Sequence, residues 1–178
     1  MAVRYRSFLL DPSLPPEGAN FLDVMRRKGG GQVPLESFFD APRQRGAAVG
    51  LTFHFEKITR APNTLLSHRL IALAPEAKQP TLIEAIYAAY FEHGQDIGDL
   101  ETLVRIAGEQ DLETGWVQAQ LAGGAGQEEV MADIRWAREH GISGVPFFVL
   151  NGRYAFSGAQ PPEVMLGIFE RLTGGKLG

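Results

Sequence analysis

Gly141-Ile-Ser-Gly-Val145-Pro146-Phe-Phe-Val-Leu150-Asn151-Gly152-Arg153-Tyr154-Ala155-Phe156 is the stretch that decides the fold. Two apolar runs, Phe147 to Leu150 and Arg153 to Phe156, flank the dipeptide Asn151-Gly152. A two-residue type I′ turn needs a positive φ at both central positions, and Asn-Gly adopts it with little steric conflict, so the segment predicts a β-hairpin. Val145-Pro146 stands immediately ahead of the first strand and, taken alone, reads as a turn. Downstream, Ser157-Gly158-Ala159-Gln160 leads to Pro161-Pro162, which opens a helix with Val164, Met165, Ile168, Phe169 and Leu172 on one stripe and Gly174-Gly175 at its end. The backbone N–H groups ahead of that helix suit an anion; an ordinary cap and loop is the plainer reading.

Upstream lies a helical block. Asn63 caps a helix carrying Leu65, Leu66, Leu70 and Leu73. A second helix, about Pro80 to His93, stops before Gly94, and a third starts at an Asp99 cap with Leu100, Leu103, Val104 and Ala107 inward. Glu113 to Leu121 and Gln127 to His140 complete the block, the latter stopping at Gly141. Nearer the N-terminus, Val3 to Leu10 alternates apolar residues with Arg4 and Arg6 and predicts a strand that ends at Asp11-Pro12. Asn20 caps a short helix from Phe21 to Lys28, with Gly29-Gly30-Gly31 as its terminator. Leu35 to Val49 reads as a helix interrupted at Pro42, and Gly50 to Phe55 as a briefly extended segment. Phe147, Phe148, Tyr87, Tyr90 and Phe91 are assigned to the core and its edge.

The composition removes several function classes. A length of 178 residues, with 44% hydrophobic and 21% charged, predicts one folding unit with a substantial core. A net charge of -4 gives no electrostatic reason to bind a phosphate backbone, so nucleic acid is not an expected partner. No apolar run approaches the roughly 20 residues of a membrane span, and Arg4 and Arg6 break the opening stretch, so neither a membrane helix nor a signal peptide is expected and a cytoplasmic location is. Without cysteine there is no disulfide, thiolate nucleophile or zinc–sulfur ligand. His54, His68, His93 and His140 show no metal-binding spacing; no metal and no cofactor is expected.

The order of strand, helical block, Val-Pro, hairpin and final helix resembles the DsbA/FrnE branch of the thioredoxin-fold oxidoreductases. The resemblance is carried by Gly141 to Leu150, Asn151 to Gln160, Arg60-Ala-Pro-Asn-Thr64 and Phe8-Leu-Leu-Asp-Pro12, and so spans essentially the whole chain. It implies an α/β, thioredoxin-like fold of one domain, 1–178, with a helical insertion over about residues 63–140. In such folds the proline before the hairpin is cis; Gly144, Val145 and Pro146 would line a substrate cleft, with Val145 offering its N–H and C=O to an extended peptide. Related glutathione-using isomerases suggest Asn63 as a polar group of that cleft, beside its reading as a cap. His68, one and a half turns into the same helix, faces either the cleft or solvent, and Ser157 belongs to the loop that follows the hairpin.

The activity the resemblance implies is thiol–disulfide exchange, in which a thiolate attacks a disulfide sulfur. Members of the family begin with a strand leading into C-x-x-C at a helix N-terminus, whereas this sequence opens at what reads as their second strand, with that strand, turn and first helix missing. No catalytic residue is therefore assigned, and the chain by itself is expected to be inactive in exchange. A late start, a degenerate member and an assembly in which another chain fills the gap stand open. Other functional readings are a glutathione-dependent 2-hydroxychromene-2-carboxylate isomerase-like enzyme and a non-catalytic, chaperone-like peptide-binding module. The expected partners are a peptide or thiol substrate in the cleft and a second copy of the chain, since strands without a neighbour seek one.

Overall fold

The hairpin forms at the Asn-Gly signal, with Arg153 in the turn rather than in the second strand, which starts one residue later at Tyr154 because Leu150 pairs with Tyr154. In the computed structural model, which describes residues 2–29 and 34–173, β3 (Phe147–Leu150) pairs antiparallel with β4 (Tyr154–Ser157) in the register Phe147↔Ser157 to Leu150↔Tyr154. Asn151 and Gly152 both take positive φ, 51° and 65°, and Arg153 N–H closes the turn on Leu150 C=O at 3.1 Å. Phe148 and Phe156, directly opposite, stack at 4.8 Å between ring centroids, the cross-strand contact that fixes register. Helix α8 (Pro162–Thr173) follows; the Gly174-Gly175 terminator lies outside the described residues. Contacts group the chain into two compact units, Met1–Trp136 and Ala137–Gly178, where the sequence suggests one; the hairpin and α8 belong to the second.

In the first unit a two-residue ladder, β1 (Ala19–Asn20) with β2 (Arg60–Ala61), precedes the helical block. Asn20 caps α1 (Phe21–Lys28) by accepting from Asp23 N–H, and Gly29 ends it; Gly30 and Gly31 lie outside the described residues. Helix α2 (Leu35–Ala47) runs unbroken through Pro42, correcting the expected interruption. Proline removes one i→i−4 bond, and an exposed helix tolerates that loss when its flanking turns hold. Gly50 to Phe55 is likewise not extended throughout: the chain turns and enters a 3₁₀ turn at Phe55–Lys57.

The block itself consists of α3 (Leu65–Leu73), α4 (Gln79–Phe91), α5 (Leu100–Glu109), α6 (Thr114–Ala122) and α7 (Gln127–Glu139). At the boundary residue itself, Asp99 caps α5 by accepting from Thr102 N–H, and Glu113 caps α6 by accepting from Gly115 and Trp116 N–H, satisfying donors the helix cannot. Leu70, Leu82, Ile86, Leu103, Ile106 and Val117 meet in one buried cluster. Truncating any of the large ones to alanine removes about 2–5 kcal/mol. Phe21, Val24, Phe55, Ile58 and Ala61 form a second cluster beneath the aromatic rings of Phe39, Phe53 and Phe91.

Val3 to Leu10 is not a strand. Its alternation is that of a strand, but among the described residues it has no ladder partner, and a strand exists only through its neighbour's hydrogen bonds. It is tied instead by side chains of the same unit. Asp133 accepts from Arg6 at 2.6 Å and from Ser7 N–H at 2.9 Å, Arg6 lies 4.9 Å over the Trp136 ring, and His68 Nε2 sits 3.1 Å from Phe8 C=O.

Gly94 has φ +69°, and a Cβ there would lie 2.4 Å from Lys57 O, so Gly94→Ala combines left-handed strain with a backbone clash. It should destabilise the chain by about 2–3 kcal/mol, read as a lowered urea midpoint. His68 is held below its ordinary pKa of 6.5 chiefly by burial, against the Phe8 carbonyl and Asp133, which pull it up. The unfolded chain thus binds a proton at pH values where the folded chain does not; stability is complete above pH 6.5 and is lost as pH falls through the folded value. Melting temperatures measured downward from pH 7.5 should fall less steeply below pH 6.5 in His68→Gln than in the parent.

Candidate functional site

Gly144, Val145, Pro146 and Ser157 share the second unit, and the hairpin brings the last two together. The Val145–Pro146 peptide bond is cis. Gly158 N–H donates to Pro146 C=O at 2.8 Å, closing the loop ahead of β3 onto the end of β4, where Ser157 pairs with Phe147. Val145 itself is 52% exposed, and among the described residues its backbone N–H and C=O take no partner. An apolar side chain beside an unpaired amide is the combination that an extended peptide can meet with main-chain hydrogen bonds. Gln160 Nε2 donates to Ser157 C=O at 3.2 Å, so the loop before α8 is tied down from within the Ser157 to Gln160 stretch, in a role not assigned from the sequence. Spacing alone does not distinguish that contact from any other polar loop residue.

Asn63 and His68 belong to the first unit, where both are occupied structurally. Asn63 Oδ1 accepts from Leu65 N–H at 3.0 Å and its Nδ2 donates to Leu14 C=O at 2.8 Å, so the amide starts α3 and staples the proline-rich loop to it. The cap hydrogen bond thus comes from one residue ahead of the boundary at Thr64, which makes no side-chain bond of its own, and Asn63 lines a pocket as well. His68 is half-buried and points at the Phe8 carbonyl, so Nε2 is engaged within the protein rather than facing solvent. With Nε2–H donating to that carbonyl and burial disfavouring the cation, the neutral ring leaves Nδ1 as its acceptor. No contact links Asn63 to His68.

A polar pocket of about 270 Å³ lies beside Asn63, among Glu17, Arg60, Asp96 and Asp99. Arg60 is engaged there, with Nε 3.3 Å from Asp96 and Nη1 donating to Glu17 C=O. Tyr90 Oη bonds Arg60 C=O at 3.4 Å, and burial, with Asp96 nearby, pushes its phenol pKa well up, so it stays a neutral donor. Among the described residues no three His, Asp or Glu side chains are grouped closely enough to hold a metal ion. Asp133 is the residue that sequence reasoning missed: it lies on the polar side of α7 like any surface carboxylate, and its partners Arg6 and Ser7 are 127 and 126 positions away. No helix of the described residues is long and apolar enough to cross a membrane.

Thiol–disulfide exchange requires a thiolate, and none of the 178 residues is cysteine. Comparison with known proteins then places the chain. No curated protein matches it. Among solved structures it is similar to a probable DsbA oxidoreductase from Streptomyces coelicolor, with 34% identity and a TM-score of 0.83 over 97% of this chain and 76% of that one. The family model of the DSBA-like thioredoxin domain matches residues 1–170. With its thioredoxin-like α/β fold dominated by helices, the chain belongs to the DSBA-like thioredoxin domain family.

Proposed function

We propose that these 178 residues hold an extended polypeptide substrate for thiol–disulfide exchange, with the Gly144-Val145-Pro146 loop as the docking strand and the attacking thiolate supplied from outside them. The observation that carries this reading is the exposed Val145, whose amide is unpaired in a loop held by the Gly158–Pro146 bond, in a chain of the DsbA-like family. In exchange the thiolate attacks one sulfur of the substrate disulfide, forming a mixed disulfide and releasing the other sulfur as thiolate. Val145 contributes to that sequence by aligning the substrate backbone, and no side chain of this chain exchanges electrons.

A peptide-binding module without redox chemistry is the second reading, and the same exposed loop favours it. The glutathione-dependent isomerase reading gains no support from Asn63, whose oxygen and nitrogen are both engaged by backbone. The two favoured readings separate on whether a cysteine-bearing segment or partner, added to this chain, restores exchange.

The purified 178-residue chain should reduce insulin disulfides in dithiothreitol no faster than buffer, because it offers no thiol. It should nevertheless bind a reduced, carboxymethylated unfolded protein. Val145→Arg should weaken that binding about tenfold, or about 1.4 kcal/mol, in fluorescence anisotropy. The same substitution should leave stability within about 0.5 kcal/mol, as expected for an exposed position. Equal binding by the parent and by Val145→Arg would remove Val145 from the docking surface.

A further inference from the structure

The first unit carries an aromatic groove that neither the hairpin loop nor the pocket beside Asn63 uses. It has a volume of about 480 Å³, within the range of small-ligand sites, and its walls are Leu51 and Phe53 on one side and Tyr87 and Phe91 of α4 on the other. The rings are inclined to one another: Phe53 and Phe91 lie 5.5 Å apart at 53°, Tyr87 and Phe91 6.2 Å apart at 47°. Tyr87 is 59% exposed and Leu51 44%, so the groove leaves apolar surface open to water.

Its walls are fixed in advance of any ligand. A Cβ at Gly46 would lie 2.9 Å from the Phe53 ring, so that ring rests directly on the backbone of α2. His54 N–H donates to Phe91 C=O at 2.8 Å, fastening the Phe53 segment to the end of α4. Phe91 is further packed edge-on against Tyr90 at 4.9 Å.

Charge decides what the groove suits. Its lining includes two carboxylates, Glu84 and Glu92, and no cation; among the described residues neither carboxylate has an ion-pair partner. Two ammonium groups bond carbonyls of lining residues: Lys78 donates to Gln110 C=O at 2.8 Å and has its own counter-ion, Asp111, at 3.6 Å, while Lys57 donates to Glu92 C=O at 3.2 Å and offsets one of the two carboxylate charges, leaving one unbalanced. Aromatic faces and unpaired carboxylates around one cavity attract a cation with an apolar shell, whose weak hydration makes desolvation cheap.

We propose that this groove binds a small alkylammonium cation, seated against Phe53, Tyr87 and Phe91 with Glu84 and Glu92 opposing its charge. Choline and its neutral isostere 3,3-dimethylbutan-1-ol, titrated into the isotopically labelled full chain and followed by NMR, test it. Choline should shift the ring signals of Phe53, Tyr87 and Phe91 saturably, with the alcohol at least about fivefold weaker. Tyr87→Ala should weaken choline by about fivefold while Tyr87→Phe, which keeps the ring, retains it. Glu84→Gln combined with Glu92→Gln should weaken choline about threefold or more and remove most of its salt dependence. These side chains lie at the rim, and unchanged melting of Tyr87→Phe and the double glutamine variant keeps the test independent of folding. Equal binding of choline and the alcohol, shifts confined to other residues, or no shift at all would overturn the proposal.

Discussion

Arg69 carries a guanidinium into the helical core, and the surroundings of α3 are arranged to receive it. Nε donates to Ala125 C=O at 2.8 Å and Nη2 to Leu121 C=O at 2.6 Å, at and just beyond the C-terminus of α6. A helix end leaves carbonyls short of partners and carries a partial negative charge, so the arginine adds a charged donor to Leu121 C=O, which also accepts from Gly124 N–H at 3.3 Å, and supplies one to Ala125 C=O while the helix dipole supports its cation. A buried polar group left unsatisfied costs about 1–3 kcal/mol, so the carbonyls at the end of α6 are what lets the guanidinium lie beside the packing around Leu70 and Val117. The same turn of α3 faces three other neighbours: Ser67 donates to Ile97 C=O, His68 reaches Phe8 C=O, and Leu70 enters the apolar cluster.

The second organising contact is aromatic. Phe39 and Phe55 stack at 4.5 Å, Phe21 and Phe39 at 5.7 Å, and Phe53 and Phe91 extend the slab to α4. It joins segments that have little regular structure of their own, since β1 and β2 are two residues each and the Phe55–Lys57 turn is three. Ring contacts add about 0.5–1.5 kcal/mol beyond area, enough to hold short connections that backbone hydrogen bonding alone does not fix. Arg43 lies 5.5 Å from the Phe55 centroid and bonds Glu56 at 3.1 Å. Glu56 is thereby one of several charges on the rim of the slab; bonded first by its own N–H and then by His54 and Arg43, its carboxyl titrates near a pKa of about 2.

What was legible in the sequence is what depends on neighbours close in the chain. Asn20, Asp99 and Asn151-Gly152 announce a cap, a cap and a hairpin because the atoms they serve lie within three residues. Val3 to Leu10 misleads for the opposite reason: alternation describes how a strand would present its side chains, while its existence depends on a distant partner. Pro42 misleads because the rule against proline in a helix concerns one hydrogen bond, and α2 retains the bonds on either side. The candidate site divides the same way. The Val145-Pro146 loop could be placed from its position before the hairpin, whereas the engagement of His68 with Phe8, 60 positions away, left no periodic trace. Tyr87, assigned to the core edge, turns out largely exposed on α4, because a continuous apolar stretch in a helix does not say which of its faces is covered.

On the function proposed for it, the hairpin loop would be a recognition surface that forms independently of the chemistry it serves. Three contacts hold it: the β3–β4 ladder, the Phe148–Phe156 stack, and the Gly158–Pro146 hydrogen bond. All three are made within a span of a dozen residues, so none requires a thiol or a distant element to form. A loop already ordered loses little further conformational entropy when a peptide lies along it, and an affinity based on main-chain hydrogen bonds then rests mainly on the accessibility of Val145. Exchange chemistry instead demands a particular atom, a sulfur, at a particular distance. The proposed recognition and the reaction thus make different demands: the first asks for local backbone geometry, and the second for a side chain that none of these residues supplies.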